Sequence, residues 1–154
     1  MARQSVFDFA GGAPAFLRLA RAHHERCLSD PVLNHPFSHP GHPEHVQRLA
    51  WYWAQVFGGP TSYTDASDGQ TGMMQVHAGM GADDDLGERF VACFVGAADD
   101  AHLPEDPAFR QVLREYMEWA VRDVNGYNRP ASSVPEGLAM PSWSWDGLQA
   151  QPSS

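Results

Sequence analysis

Met73-Met74-Gln75-Val76-His77-Ala78-Gly79-Met80 sets one histidine among methionines, a valine and an alanine, with no carboxylate nearby. Gly72 and Gly79 bracket the run, so any helix within it is short. Two chemistries suit an imidazole in such surroundings. It is a core histidine bonded to a backbone carbonyl, or it is a metal ligand whose other faces are covered by something apolar. The segments on either side decide between them.

Toward the C-terminus, Asp83-Asp84-Asp85 is an acidic start for a helix over about 84–101, with Phe90, Phe94, Ala97 and Ala101 inward and Cys93 beside them. Asp106-Pro107 reads as an N-cap followed by a first-turn proline. The helix it opens, to about Tyr127, has the clearest period in the chain. Phe109, Val112, Leu113, Tyr116, Met117, Ala120, Val121 and Val124 face in, and Arg110, Arg114, Glu118, Arg122 and Asp123 face out. From Asn128 to Ser154 there is no helical period, but Trp143-Ser144-Trp145 is too aromatic for plain disorder and is expected to dock on the body. The chain therefore divides into a domain over 1–127 and a tail over 128–154.

Toward the N-terminus, Thr61 to Thr71 is polar and turn-rich and reads as a loop, with Tyr63 its one aromatic. Gly58-Gly59-Pro60 stops a helix that begins near Pro43 and places His45, Leu49, Trp53 and Val56 along one face. His35 to His42 is a proline-rich connection whose single large apolar residue, Phe37, should anchor inward. Ala13 to Leu28 is a helix with Phe16, Leu19, Ala20, His23 and Cys27 on one stripe and Leu17, His24 and Leu28 on its neighbour. Asp30-Pro31 ends it. No strand is expected, and the fold class is all-α.

Composition narrows the function classes. The chain has 154 residues, suited to one domain, and its formal net charge of -9 argues against nucleic acid or an anionic membrane surface. No run approaches the ~20 apolar residues of a membrane span, and Met1 to Ser5 lacks a signal-peptide pattern. The two cysteines, Cys27 and Cys93, lie in apolar helical patterns, which suits reduced core thiols in the cytoplasm better than a disulfide framework.

Of eight histidines, six fall between positions 23 and 45. They do not make a polydentate metal site. His23 and His24 point about 100° apart on one helix, and His35, His39 and His42 lie among prolines in a loop. His24 and His45 differ, because each sits on the apolar side of a helix, where an unpaired imidazole costs roughly 1–3 kcal/mol. Together with His77 they suggest one shared purpose, met by a flat apolar cofactor with a central iron. Haem needs one strong axial imidazole, an apolar slot and a polar group on the opposite face.

These residues resemble the truncated haemoglobins, closest to their group II, over about residues 7–127. Four landmarks carry the likeness. Ala22-His23-His24-Glu25-Arg26 is similar to the family's Phe-Tyr-Glu-Arg motif on its second helix. His35-Pro36-Phe37 is similar to the corner that delivers an aromatic to the haem. Gly58-Gly59-Pro60 with Tyr63 resembles the family's Gly-Gly-Pro and following tyrosine. Met74-Gln75-Val76-His77 resembles the run that carries the proximal histidine. The resemblance implies a five-helix, 2-on-2 sandwich around one haem b, with His77 as the proximal iron ligand. It puts His24, Phe37, His45, Leu49 and Phe90 in the distal pocket, Phe90 lying thirteen residues after His77. Arg48 and Tyr63 would meet the propionates.

The departures define the expected chemistry. His24 stands where the family has a ligand-bonding tyrosine, Phe90 where it has a tryptophan, and Val76 where it has an arginine. His45, and after it His24, are then the polar groups facing a diatomic ligand such as oxygen. Either could instead take the sixth iron position. The expected function is reversible gas binding. The alternatives are a haem enzyme, a nitric-oxide dioxygenase or peroxidase-like protein with an external reductase, and a haem-free helical interaction module.

Overall fold

A computed structural model of the chain describes residues 4–31, 45–66, 84–125 and 140–149. Six α-helices lie among the described residues. They are α1 (Val6–Ala10), α2 (Ala13–Ser29), α3 (His45–Val56), α4 (Ser62–Ala66), α5 (Asp84–Asp100) and α6 (Pro107–Asn125). The short helix considered around His77 lies outside the described residues, as does Phe37.

Local chemistry explains most of the boundaries. The Ser5 hydroxyl caps α1, accepting from the Asp8 backbone N–H at 3.1 Å. Helix α2 buries Ala15, Phe16, Leu19, Ala20, His23 and Cys27, which is the first of the two stripes read from sequence. At the end of α3, Gly58 takes φ +100°, the left-handed conformation that favours glycine, and the Gly59 N–H returns to the Ala54 carbonyl at 2.8 Å. The Phe7 N–H donates to the Phe57 carbonyl at 3.0 Å and fastens α1 to this corner. Asp106 caps α6 as expected, accepting from the Phe109 N–H at 2.9 Å. Arg110 then ties the α5–α6 corner, donating to the Pro104 and Leu103 carbonyls at 2.8 and 3.0 Å and to Asp99 at 2.6 Å.

Two short elements differ from the sequence expectation. Ser62–Ala66 is a helical turn and not loop. The Thr61 hydroxyl donates to the Asp65 carboxylate at 3.2 Å, and the Gln55 side chain clamps Thr64 from α3, at 2.7 Å to its hydroxyl and 3.1 Å from its N–H. Half of that support is tertiary, so the local pattern does not reveal it. The tail carries a two-stranded antiparallel hairpin, β1 (Trp143–Ser144) and β2 (Gly147–Leu148). The Trp145 indole donates to the Gln4 carbonyl at 2.6 Å and meets Phe9 edge-on at 5.1 Å. Trp143 lies against Tyr116 and Trp119, with ring centroids 5.7 and 5.9 Å away.

Helix α2 packs on both α3 and α5, and α5 packs on α6, so two pairs of helices stack around one core. Trp53 meets Phe94 at 4.8 Å and Phe57 meets Tyr116 at 5.0 Å, joining α3 to α5 and closing the α3 corner onto α6. Each large core side chain buried here is worth about 1.5–3 kcal/mol relative to exposure. Among the described residues, no helix is long and apolar enough to cross a membrane.

Candidate functional site

The helical period of α2 sends its consecutive histidines to different places. His23 is fully buried, while His24 is half-buried with its Nδ1 out of solvent contact. Around His23 the three helices α2, α3 and α5 build an aromatic box. Its ring meets Phe90 at 4.5 Å and 76°, Trp53 at 5.3 Å and 84°, and Phe94 at 6.0 Å and 73°. These edge-to-face arrangements suit the charge distribution of aromatic rings. One turn further along α2, the Cys27 sulfur lies 3.7 and 3.8 Å from the two ring nitrogens of His23.

Helix α3 borders this box. Leu49 is partly buried against the core and Trp53 is almost fully buried. Helical register places His45 on the same stripe, four residues before Leu49. It is the first residue of α3, and its side chain lies outside the described residues. The next stripe holds Arg48 and Tyr52. Tyr63 comes to that stripe from α4, meeting Tyr52 at 5.0 Å and 90°. Arg48 is half-buried there.

Behind the box, Tyr116 is fully buried from α6. Burial raises its phenol well above the usual tyrosine value, and it exchanges hydrogen bonds with Trp53 and Tyr52. Burial also raises the Cys27 thiol, and the neighbouring Cys93 thiol adds to this. The described residues contain no group of three or more histidine, cysteine or acidic side chains able to hold a bare metal ion.

Of the residues expected from sequence, Leu49 and Phe90 pack against one core and Tyr63 comes to the Tyr52 stripe. His77 and Phe37 lie outside the described residues. His23, which the sequence reading placed on the stripe with Phe16, Leu19 and Cys27 without giving it a role, is the histidine at the centre of the box. Trp53, read from sequence as part of the stripe of His45 and Leu49, forms a second wall of that box.

The profile of the bacterial-like globins matches residues 5–123, and the chain belongs to that family. Its fold is that of the truncated haemoglobins. The chain is similar to a haemoglobin from Chloroflexus aurantiacus, at 23% identity and a TM-score of 0.67, covering 79% of this chain and 98% of that one. It is similar to a thermostable haemoglobin from Thermobifida fusca, at 27% identity and a TM-score of 0.64, covering 79% and 96%. It also resembles the group II truncated haemoglobin of Bacillus anthracis, at 19% identity and a TM-score of 0.70, covering 84% and 95%. Curated protein sequences gave no significant match.

Globin membership implies a haem cofactor and gas binding at it. The described part of the site suits that group. Its wall is aromatic and aliphatic, it carries imidazoles and no carboxylate, and it offers no set of protein ligands that would capture a bare ion in competition.

Proposed function

We propose that this chain binds a diatomic gas reversibly, oxygen first, through one b-type haem held by His77, in the cytoplasm. The observation that carries the reading is the aromatic box of α2, α3 and α5, with one histidine locked inside it and a second beside it on the outer stripe. When bound, the haem would supply the iron at which the gas is held.

The residues of the chain do the rest. His77 would hold the group as the ligand to its iron. His45 and His24 aim imidazole N–H donors at the distal face and stabilise a ligand that gains negative character, by roughly 1.5–3 kcal/mol for a hydrogen bond to a charged group. Either of them could instead serve as a second protein ligand to the haem iron. Phe37, Leu49 and Phe90 keep water out. Arg48 and Tyr63 hold the propionates, the arginine by a charge-assisted bond. His23 sits inside the box and fixes the rotation of α2, and so the direction in which His24 points. The gas-binding unit spans residues 1–127, with 128–154 as its tail.

The test is an absorption spectrum of the purified chain, oxidised, reduced and with carbon monoxide. A Soret band that shifts with carbon monoxide is the expected result, and its loss in His77→Ala assigns the axial ligand. Full haem retention in that variant would sink the assignment. A reduced spectrum of low-spin type, lost in His45→Leu or His24→Leu, would identify the sixth ligand.

A further inference from the structure

Cys27 on α2 and Cys93 on α5 stand 66 positions apart in sequence, and their side chains pack on each other as a separate buried pair with Phe90 against them. Both are free thiols, and the gas-binding reading uses neither. Their exposures differ in a telling way. Cys27 is sealed at 0%, whereas Cys93, at 8%, lines the floor of an open groove with Arg26, Ser29, Asp30 and Arg89. Both arginines are held at that groove. Arg26 forms a two-point pair with Asp100 at 2.5 and 2.9 Å, and Arg89 bonds Asp30 at 3.1 and 3.2 Å. Gly96 admits the Arg26 guanidinium, which any Cβ at that position would overlap.

We propose that Cys27 and Cys93 are a reversible dithiol–disulfide pair, oxidised by a hydroperoxide through Cys93 and closed by Cys27. In the first step the Cys93 thiolate attacks the terminal peroxide oxygen and the O–O bond breaks. Cys93 becomes a sulfenic acid, and the leaving alkoxide or hydroxide takes up a proton. In the second step the Cys27 sulfur attacks the Cys93 sulfur, the S–O bond breaks, and the departing hydroxide leaves as water with the thiol proton. Two thiols and one hydroperoxide thus yield one disulfide, one alcohol or water, and one further water. An external small thiol reverses the bond by exchange.

The order of the steps follows from the surroundings. A peroxide can reach Cys93 from the groove but cannot reach Cys27. Burial dominates and lifts the Cys93 thiol above its ordinary value, against the Cys27 thiol, which favours the Cys93 thiolate by a hydrogen bond; the Asp30 carboxylate opposes the thiolate and the Arg26 and Arg89 guanidiniums favour it. Cys27 faces His23 on its own helix and Cys93 across the interface. The reaction is therefore slow at neutral pH and steepens with alkali. Because Phe90 packs on both the thiol pair and the His23 ring, a bond between the cysteines pulls on the aromatic box.

The experiment exposes the purified chain to excess hydrogen peroxide, blocks the remaining thiols and maps the digest by mass spectrometry without reductant. A Cys27–Cys93 linked peptide that disappears on treatment with dithiothreitol is the expected product. Its rate should rise about tenfold per pH unit between roughly 6.5 and 8.5, as thiolate fraction does below the pKa. Cys27→Ser should stop at a Cys93 sulfenic acid, captured by a 1,3-dione probe, and Cys93→Ser should give neither probe adduct nor link. The proposal is overturned if both thiols survive. It is equally overturned if wild-type Cys93 proceeds to sulfinic acid without forming the link, or if the only disulfides join separate chains.

Discussion

The box around His23 and the cluster around Tyr116 share Trp53 and Phe94, yet they are built differently. Around Tyr116, Phe57, Phe94 and Trp143 supply ring faces, and the phenol shares hydrogen bonds with Tyr52 and Trp53. That arrangement bonds the Tyr116 phenol and surrounds it with apolar ring surface, while the buried Trp143 indole N–H has no hydrogen-bond partner among the described residues. Around His23, an imidazole and two thiols occupy space where leucine or phenylalanine would pack with less polar surface to satisfy. Stability alone selects the first composition. The second gives up some packing for groups that can bond, position and react. The contrast sets an interface of α2 and α5 that is interrupted by polar and reactive groups beside a ring-packed cluster where the α3 corner meets α6.

The largest effect expected is in the hydrocarbon cluster. Phe57→Ala should cost about 3–5 kcal/mol of unfolding free energy by urea titration, because the ring is fully buried against Phe16 and Tyr116. On the functional side, loss of one distal donor in His45→Leu or His24→Leu should raise the gas dissociation rate roughly tenfold or more, corresponding to a bond of about 1.5–3 kcal/mol, as read by stopped-flow ligand replacement. No change in either variant would leave the distal imidazoles without a role.

Alkaline pH separates the two regions by onset. Both Cys27 and Tyr116 have folded values raised above their unfolded ones by burial. Their stabilising contribution is therefore complete below the unfolded pKa and declines above it, once the unfolded chain ionises and the native one resists. The decline should begin near pH ~8.5 for Cys27 and near ~10 for Tyr116, each with a slope of at most about 1.4 kcal/mol per pH unit. Thermal melts from neutral to alkaline pH should show the later phase lost in Tyr116→Phe and the earlier one reduced in Cys27→Ser, the remainder belonging to the Cys93 thiol, which burial also raises.

His23→Leu is the direct probe of the comparison. A leucine in an apolar box should change stability by less than about 1.5 kcal/mol, as near volume-conserving swaps do. A cost as large as that of Phe57→Ala would erase the distinction between the regions. The smallest effect belongs to Arg26→Ala. Its pair with Asp100 leaves the two side chains 43% and 45% exposed, so thermal denaturation should register about 0–1 kcal/mol, weakening with added salt.

Much of the architecture was legible because its causes are local. The 3.6-residue stripes of α2, α5 and α6, the Asp106 cap and the Gly58-Gly59-Pro60 stop all act within a few residues of the chain. The Ser62–Ala66 turn was not legible, since Gln55 holds it from another helix. The tail hairpin also draws its support from Gln4, Phe9, Tyr116 and Trp119, residues remote in sequence. Likeness of motif carried the globin assignment further than periodicity could, because order and spacing of rare residues encode a fold that no single helix reveals.

By itself, the sequence determined that amphipathic helices would enclose an apolar core and that histidines would interrupt their buried faces. Only the tertiary structure decided which of two adjacent histidines is sealed and which cysteines meet. Rotation about a helix axis sets a side chain's direction, but its surroundings depend on what the crossing helices bring to that point.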